Sequence, residues 1–152
     1  MARRPHDRWL LKTEPSEYSY DDLERDGKGR WDGVSNNTAL IHMRNVRKGD
    51  LALIYHTGNQ KAAVALARIT SDPYPDPKAG DPKLVAFDLA PEQRLARPVS
   101  LTEIKADPAF ADFDLVKISR LSVMPVPAAI WKRLLALGGY SSRTAATTAK
   151  SK

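Results

Sequence analysis

Trp9-Leu10-Leu11-Lys12-Thr13-Glu14-Pro15 is the stretch on which the fold turns. Its first five residues read as a short strand, and Pro15 keeps Glu14 extended, because the proline ring disfavours helical angles in the residue before it. A strand that stops at a forced bend brings Lys12, Thr13 and Glu14 to the end of a sheet, where side chains can reach a cavity mouth. On the upstream side, residues 1–8 set Arg3, Arg4 and Arg8 against Asp7 and are expected to form a flexible basic N-terminus.

Downstream, Ser19 reads as a helix N-cap, with Asp22 completing an acidic capping box and Gly27 ending a helix over about 20–26. Trp31-Asp32-Gly33-Val34 is a tight turn that feeds Ser35 and Asn36, either able to cap a helix over about 36–47. Ala39, Met43 and Val46 share one face of that helix, and Gly49 is its expected left-handed stop. Asp50–His56 and Ala62–Ser71 read as strands around a hairpin loop at 57–61. The proline-rich segments Asp72–Pro77 and Asp81-Pro82 lack the amide donors of a central strand and are expected as an ordered surface loop. Lys83–Leu89 reads as a strand that Leu95–Val99 extends, Leu101–Ala106 and Pro108–Ala111 as helical turns, and Lys117–Met124 as the last strand. Pro127 opens a helix with Ile130, Leu134 and Leu137 on its apolar face. The Ser, Thr, Ala and Lys residues that follow cannot repay ordering entropy, so 139–152 is expected as a disordered basic tail.

Composition narrows the function classes. A chain of 152 residues with 42% hydrophobic content suits one domain, expected over 9–138. With no cysteine, disulfides, cysteine-ligated zinc and cysteine nucleophiles are excluded. His6, His42 and His56 fall in no ligand-spaced cluster, and no glycine loop suited to phosphate appears, so neither metal nor cofactor is expected. No apolar run approaches the ~20 residues of a membrane helix, which predicts a soluble protein with no membrane partner; the lack of cysteine fits a reducing, cytoplasmic home, and a monomer is expected. The net charge of +6 points to a polyanion. Residues 1–8 contribute +2 and 138–152 contribute +3, which leaves 9–137 at +1, so a basic footprint on the folded part needs local clustering.

Four blocks, in order, carry a family resemblance: Trp9-Leu10-Leu11-Lys12-Thr13-Glu14-Pro15, Trp31-Asp32-Gly33-Val34-Ser35-Asn36, Tyr55-His56-Thr57 and Arg120-Leu121-Ser122-Val123-Met124-Pro125-Val126. Together they resemble the EVE domain of the PUA-like superfamily, related to the ASCH and YTH domains. The resemblance implies an α+β fold, a bent mixed β-sheet pseudo-barrel flanked by short helices, and a preformed pocket that reads a modified cytosine or related base in DNA or RNA. The chain departs from the commonest EVE pattern at Asn36-Asn37-Thr38-Ala39-Leu40-Ile41, where many members carry Asn-Tyr-Gln-Ala-Arg-Asn. There an aromatic and an arginine are missing.

A flipped base offers two flat faces and a rim of donors and acceptors, so a reader needs aromatic plates with a few fixed polar groups. Trp31 and Tyr55 are candidate plates, or else core aromatics. Lys12 is placed to hold a flanking phosphate, Thr13 to bond the base, and Glu14 to accept from an exocyclic amine. Asn36 is placed to read a base edge or to cap its helix. Val34, Asn37, His56 and Thr57 complete the candidate ligand-binding set, with His56 expected at a strand end facing solvent. Two other functions compete. Lys12, Thr13 and Glu14 also match the residue types of an ASCH-like amidohydrolase acting on acylated nucleosides, although strand alternation sends neighbours to opposite faces. A protein-interaction domain with a vestigial pocket is the third reading.

Overall fold

The computed structural model of the chain describes residues 7–118 and 120–139. Residues 1–6 of the expected N-terminal arm (1–8) and 140–152 of the expected basic tail (139–152) lie outside the described residues, whereas Arg8 already belongs to the first strand. Seven strands build one mixed sheet: β1 (Arg8–Thr13), β2 (Gly29–Trp31), β3 (Leu51–His56), β4 (Ala62–Ile69), β5 (Tyr74–Pro75), β6 (Val85–Ser100) and β7 (Val123–Pro125). The spatial order is β2-β6-β4-β3-β1-β7, with β5 added to β6. Only β1 and β3 run parallel among these pairs. A parallel pair needs a long crossover, and α1 (Tyr20–Asp26), β2 and α2 (Asn37–Asn45) supply it.

The core explains the near-continuous apolar runs. Strands β3 and β4 are covered on both sides, so Ala52 through His56 and Ala62 through Ala67 are all buried. Register shifts between Ile54 and Tyr55, and twice along the β4–β6 pair, bend the sheet. Helices α3 (Leu101–Ala106), α4 (Asp114–Lys117) and α5 (Ala128–Leu137), with a 3-10 turn at Pro108–Phe110, follow β6. Trp131, Leu134 and Leu135 are the residues that α5 buries. Ile130 and Leu137 are only partly covered, so the apolar face is rotated from the one read in the sequence.

Several expectations held at the residue level. Ser19 and Asp22 form the capping box, and α1 stops at Gly27. Asn36 caps α2, with Ala39 and Met43 buried in the helix and Val46 buried just past its end. Others are corrected. Helix α2 ends at Asn45, and Gly49 instead turns the chain toward β3, where Asp50 takes the N–H of Arg47 on its carboxylate. The last strand is much shorter than the expected 117–124: Lys117 closes α4, and β7 begins only at Val123. The segments around 83–89 and 95–99 are one continuous strand, because the ladder shifts register beside Pro91, where no amide is available to donate. Part of the proline-rich loop pairs with β6 through Tyr74 and Pro75. Pro127 precedes the first turn of α5 as its N-cap.

Candidate functional site

The end of β1 is a corner built from its own side chains. The Thr13 hydroxyl donates to the carbonyl of Tyr18 at 2.8 Å, and the Thr13 carbonyl accepts from the Thr57 N–H at 2.9 Å. The Glu14 carbonyl takes the N–H groups of Glu17 and Tyr18, while its carboxylate accepts from the Ser16 N–H at 3.1 Å. Gly58 sits at φ 73°, a conformation that suits glycine, and a Cβ there would displace the flexible end of the Glu14 side chain. The Thr13 hydroxyl and the Glu14 carboxylate each take a bond within this corner, which stabilises the bend at residues 13–18.

The facing wall is β2 and the turn after it. Trp31 pairs with Phe87 of β6, and the chain then reverses through Gly33 at φ 73°, a conformation that suits glycine. The buried Asp76 fastens this turn: its carboxylate accepts from the Gly33 N–H at 3.0 Å and from the Lys78 N–H at 2.9 Å. Those two bonds, that of Gly33 first, hold the Asp76 carboxyl below its ordinary value. The proline-rich segment therefore buttresses the turn from outside.

Between the two walls lies a cavity of about 280 Å³ lined by Lys12, Thr13, Tyr18, Arg30, Trp31, Asp32, Val34 and Ser122. Its volume falls just below the roughly 300–1,000 Å³ typical of ligand sites, a size suited to a single heterocycle. Lys12, Thr13, Trp31 and Val34 of the predicted set meet here. Tyr18, Arg30, Asp32 and Ser122 were missed as site residues. Arg30 precedes the tryptophan on a strand too short to alternate visibly, while Asp32 and Ser122 stood inside the second and fourth sequence blocks.

The other predicted residues stand elsewhere. Tyr55 pairs in register with Lys12 across the β1–β3 ladder, and lines a neighbouring slot, also about 280 Å³, together with Thr57. The Lys12 ammonium lies 5.8 Å above the Tyr55 ring centroid. Burial pushes the Lys12 amine below its ordinary value and raises the Tyr55 phenol. The two candidate plates thus face different cavities with Lys12 as the shared wall, and do not enclose one slot. His56 is a correction: it is buried, its Nε2 accepts from the Tyr20 N–H at 3.0 Å, and its Nδ1 lies 2.7 Å from Gln60 Oε1. It ties the start of α1 to β3 and does not face solvent. Asn36 spends its side-chain oxygen on the Ala39 N–H at 2.9 Å, and both Asn36 and Asn37 are exposed outside the cavity lining. Among the described residues no helix is long and apolar enough to cross a membrane.

Comparison with known proteins matches this architecture. The chain is 28% identical to thymocyte nuclear protein 1 of Danio rerio over 166 aligned positions, covering 87% of this chain and 72% of that one. It spans only 54% of the Rattus norvegicus counterpart. A solved structure from Rhodopseudomonas palustris is similar at 41% identity and a TM-score of 0.83, covering 88% of this chain and 93% of the other. Human THYN1, solved in complex with DNA containing 5-methylcytosine, shares the fold at a TM-score of 0.80 and 24% identity, over 88% of this chain and 98% of that one. An ASCH structure from Zymomonas mobilis shares the fold more distantly, at a TM-score of 0.58 and 14% identity over 86% of this chain and 95% of that one. The bent mixed sheet with short helices is the PUA-like fold of these structures. The EVE domain profile matches residues 7–137, and the chain belongs to the EVE-domain family.

Proposed function

We propose that the protein binds nucleic acid and reads one modified base, a modified cytosine or a close relative, in the cavity between the end of β1 and the turn after β2. The observation that carries this reading is the meeting of Trp31, Val34, Lys12 and Asp32 on one small cavity. Trp31 supplies an aromatic plate and Val34 an apolar contact for a methyl group. Asp32 accepts from an exocyclic amine, as carboxylates do from cytosine N4, while Lys12 and Arg30 donate to ring nitrogen and carbonyl acceptors. The human relative solved with 5-methylcytosine DNA supports the ligand class. The stretch of predicted domain, 9–138, contains every residue of the cavity. The base must leave its stack to enter, so single-stranded or locally opened nucleic acid is the substrate form.

Titration at fixed salt of oligonucleotides bearing 5-methylcytosine, 5-hydroxymethylcytosine, N6-methyladenine or only unmodified bases tests the reading. A modified cytosine is expected to bind best, and Trp31→Ala to weaken it by about 1–3 kcal/mol, or about 5- to 150-fold. Equal binding to all four removes base reading. A Trp31→Ala protein that folds and binds as before favours the protein-interaction reading.

A further inference from the structure

The slot beside the base cavity shares only Lys12 with it. It lies at the same end of the sheet, where the β3–β4 loop meets α3 and α4, and its lining contains Lys12, Lys61 and Lys105 but no acidic residue. Tyr55 and Leu115 are buried and give it an apolar floor, while Lys61 and Lys105 are exposed at its rim. Neither Lys61 nor Lys105 forms an ion pair among the described residues. Glu14, whose carboxylate abuts Gly58 at one corner, accepts from the Ser16 N–H.

Lys61 is also held in an unusual backbone state. At φ 47° it is the single non-glycine residue in the left-handed region among the described residues, and its carbonyl accepts from the Leu101 N–H at 2.8 Å, which locks the hairpin to α3. Glycine or asparagine suits that conformation better than lysine. The chain keeps a long cation where local conformation argues for a small residue, next to a second cation and a cavity. Lys12 lines both this slot and the base cavity, so the two are adjacent and share a wall.

We infer that the slot seats the nucleotide next to the pocketed base, its phosphodiester on Lys61 and Lys105 and its sugar or base on the apolar floor, with Lys12 on the wall between the two stations. The inference rests on the base-reading function proposed above. It makes the recognised unit a dinucleotide with one station that specifies and one that only anchors.

Fluorescence anisotropy with the full chain separates the two claims. The probes are single-stranded DNA oligonucleotides with and without 5-methylcytosine, titrated across about 50 to 200 mM salt. The variants are Lys61→Gly, Lys105→Ala, their double, and Lys48→Ala as a control ahead of β3, outside both cavities. Each slot lysine removed is expected to make the log–log salt slope shallower by about 0.7 and to weaken both probes by the same factor, leaving their ratio unchanged. Lys61→Gly is expected to keep or raise the thermal midpoint, since glycine relaxes the left-handed backbone, so weaker binding there cannot be misfolding. A double variant with unaltered slope, or a Lys48→Ala loss as large as the slot losses, overturns the slot. Probes bound without discrimination would overturn base reading alone, and a lysine-dependent slope would still support the anchoring station.

Discussion

At the scale of single residues, the chain uses its buried polar groups as fasteners. His56 is the clearest case, because its ring accepts the first free N–H of α1 and reaches Gln60 on the other side. His56→Ala leaves the Tyr20 N–H without an acceptor in the core, and is expected to destabilise the fold by about 1–3 kcal/mol in urea unfolding. Tyr20 also fastens through its side chain, where the hydroxyl donates to the Leu66 carbonyl at 2.8 Å and accepts from the Glu92 N–H at 3.1 Å. Burial, the largest cause, pushes its phenol from 10.0 up to about 12. The unfolded chain then loses this proton first as pH rises, so the contribution is complete below pH 10 and is lost between 10 and about 12. Tyr20→Phe is expected to flatten part of the alkaline fall in thermal midpoint over that window. Legibility at this scale was uneven. The strand that opens at Trp9 was readable, and the buried Trp9 donates its indole N–H to the buried Asp50. His56 was not, since a histidine at a strand end gives no sign of the helix start that will cover it.

Among elements, the turn after β2 depends on a segment far along the chain. Asp76 follows the two-residue strand β5 and holds the Gly33 N–H, so β5 and its loop set the position of Trp31 and Val34. Asp76→Ala is expected to speed amide hydrogen exchange at Gly33 and Val34 and to weaken discrimination among bases more than overall affinity. The carboxylate is favoured in the folded state, which means its contribution is complete above its ordinary 3.8 and is lost as pH falls through the lower folded value. Asp76→Asn is expected to remove that part of the acid sensitivity, read as a smaller drop in thermal midpoint on acidification. The long elements were legible because periodicity and caps agreed, as in α1, α2, β3 and β4. Gly29-Arg30-Trp31 was not, having too few residues to show alternation and a glycine that argues against a strand. Residues 117–122 misled because their sequence alternates like a strand where the chain leaves α4.

For the molecule as a whole, charge and shape are separated. Residues 1–6 and 140–152 carry +5 of the net +6, so the domain between them is close to neutral. We expect a version trimmed to 7–139 to keep its thermal midpoint and its preference among bases while losing affinity for every oligonucleotide and showing a shallower salt slope. A trimmed protein that lost discrimination would place recognition partly outside the domain. The overall architecture was readable from four short blocks, whereas the partition into two cavities was not. That partition follows from the in-register facing of Lys12 and Tyr55, a relation between strands that no single stretch of sequence displays.

The placement of β1 reaches beyond the finished structure. This strand precedes both of its sheet neighbours in the chain, β3 on one side and β7, which ends at Pro125, on the other. During translation its backbone lacks a complete set of partners until β7 has left the ribosome. One edge of β1 therefore waits unpaired for the last strand that the sheet receives.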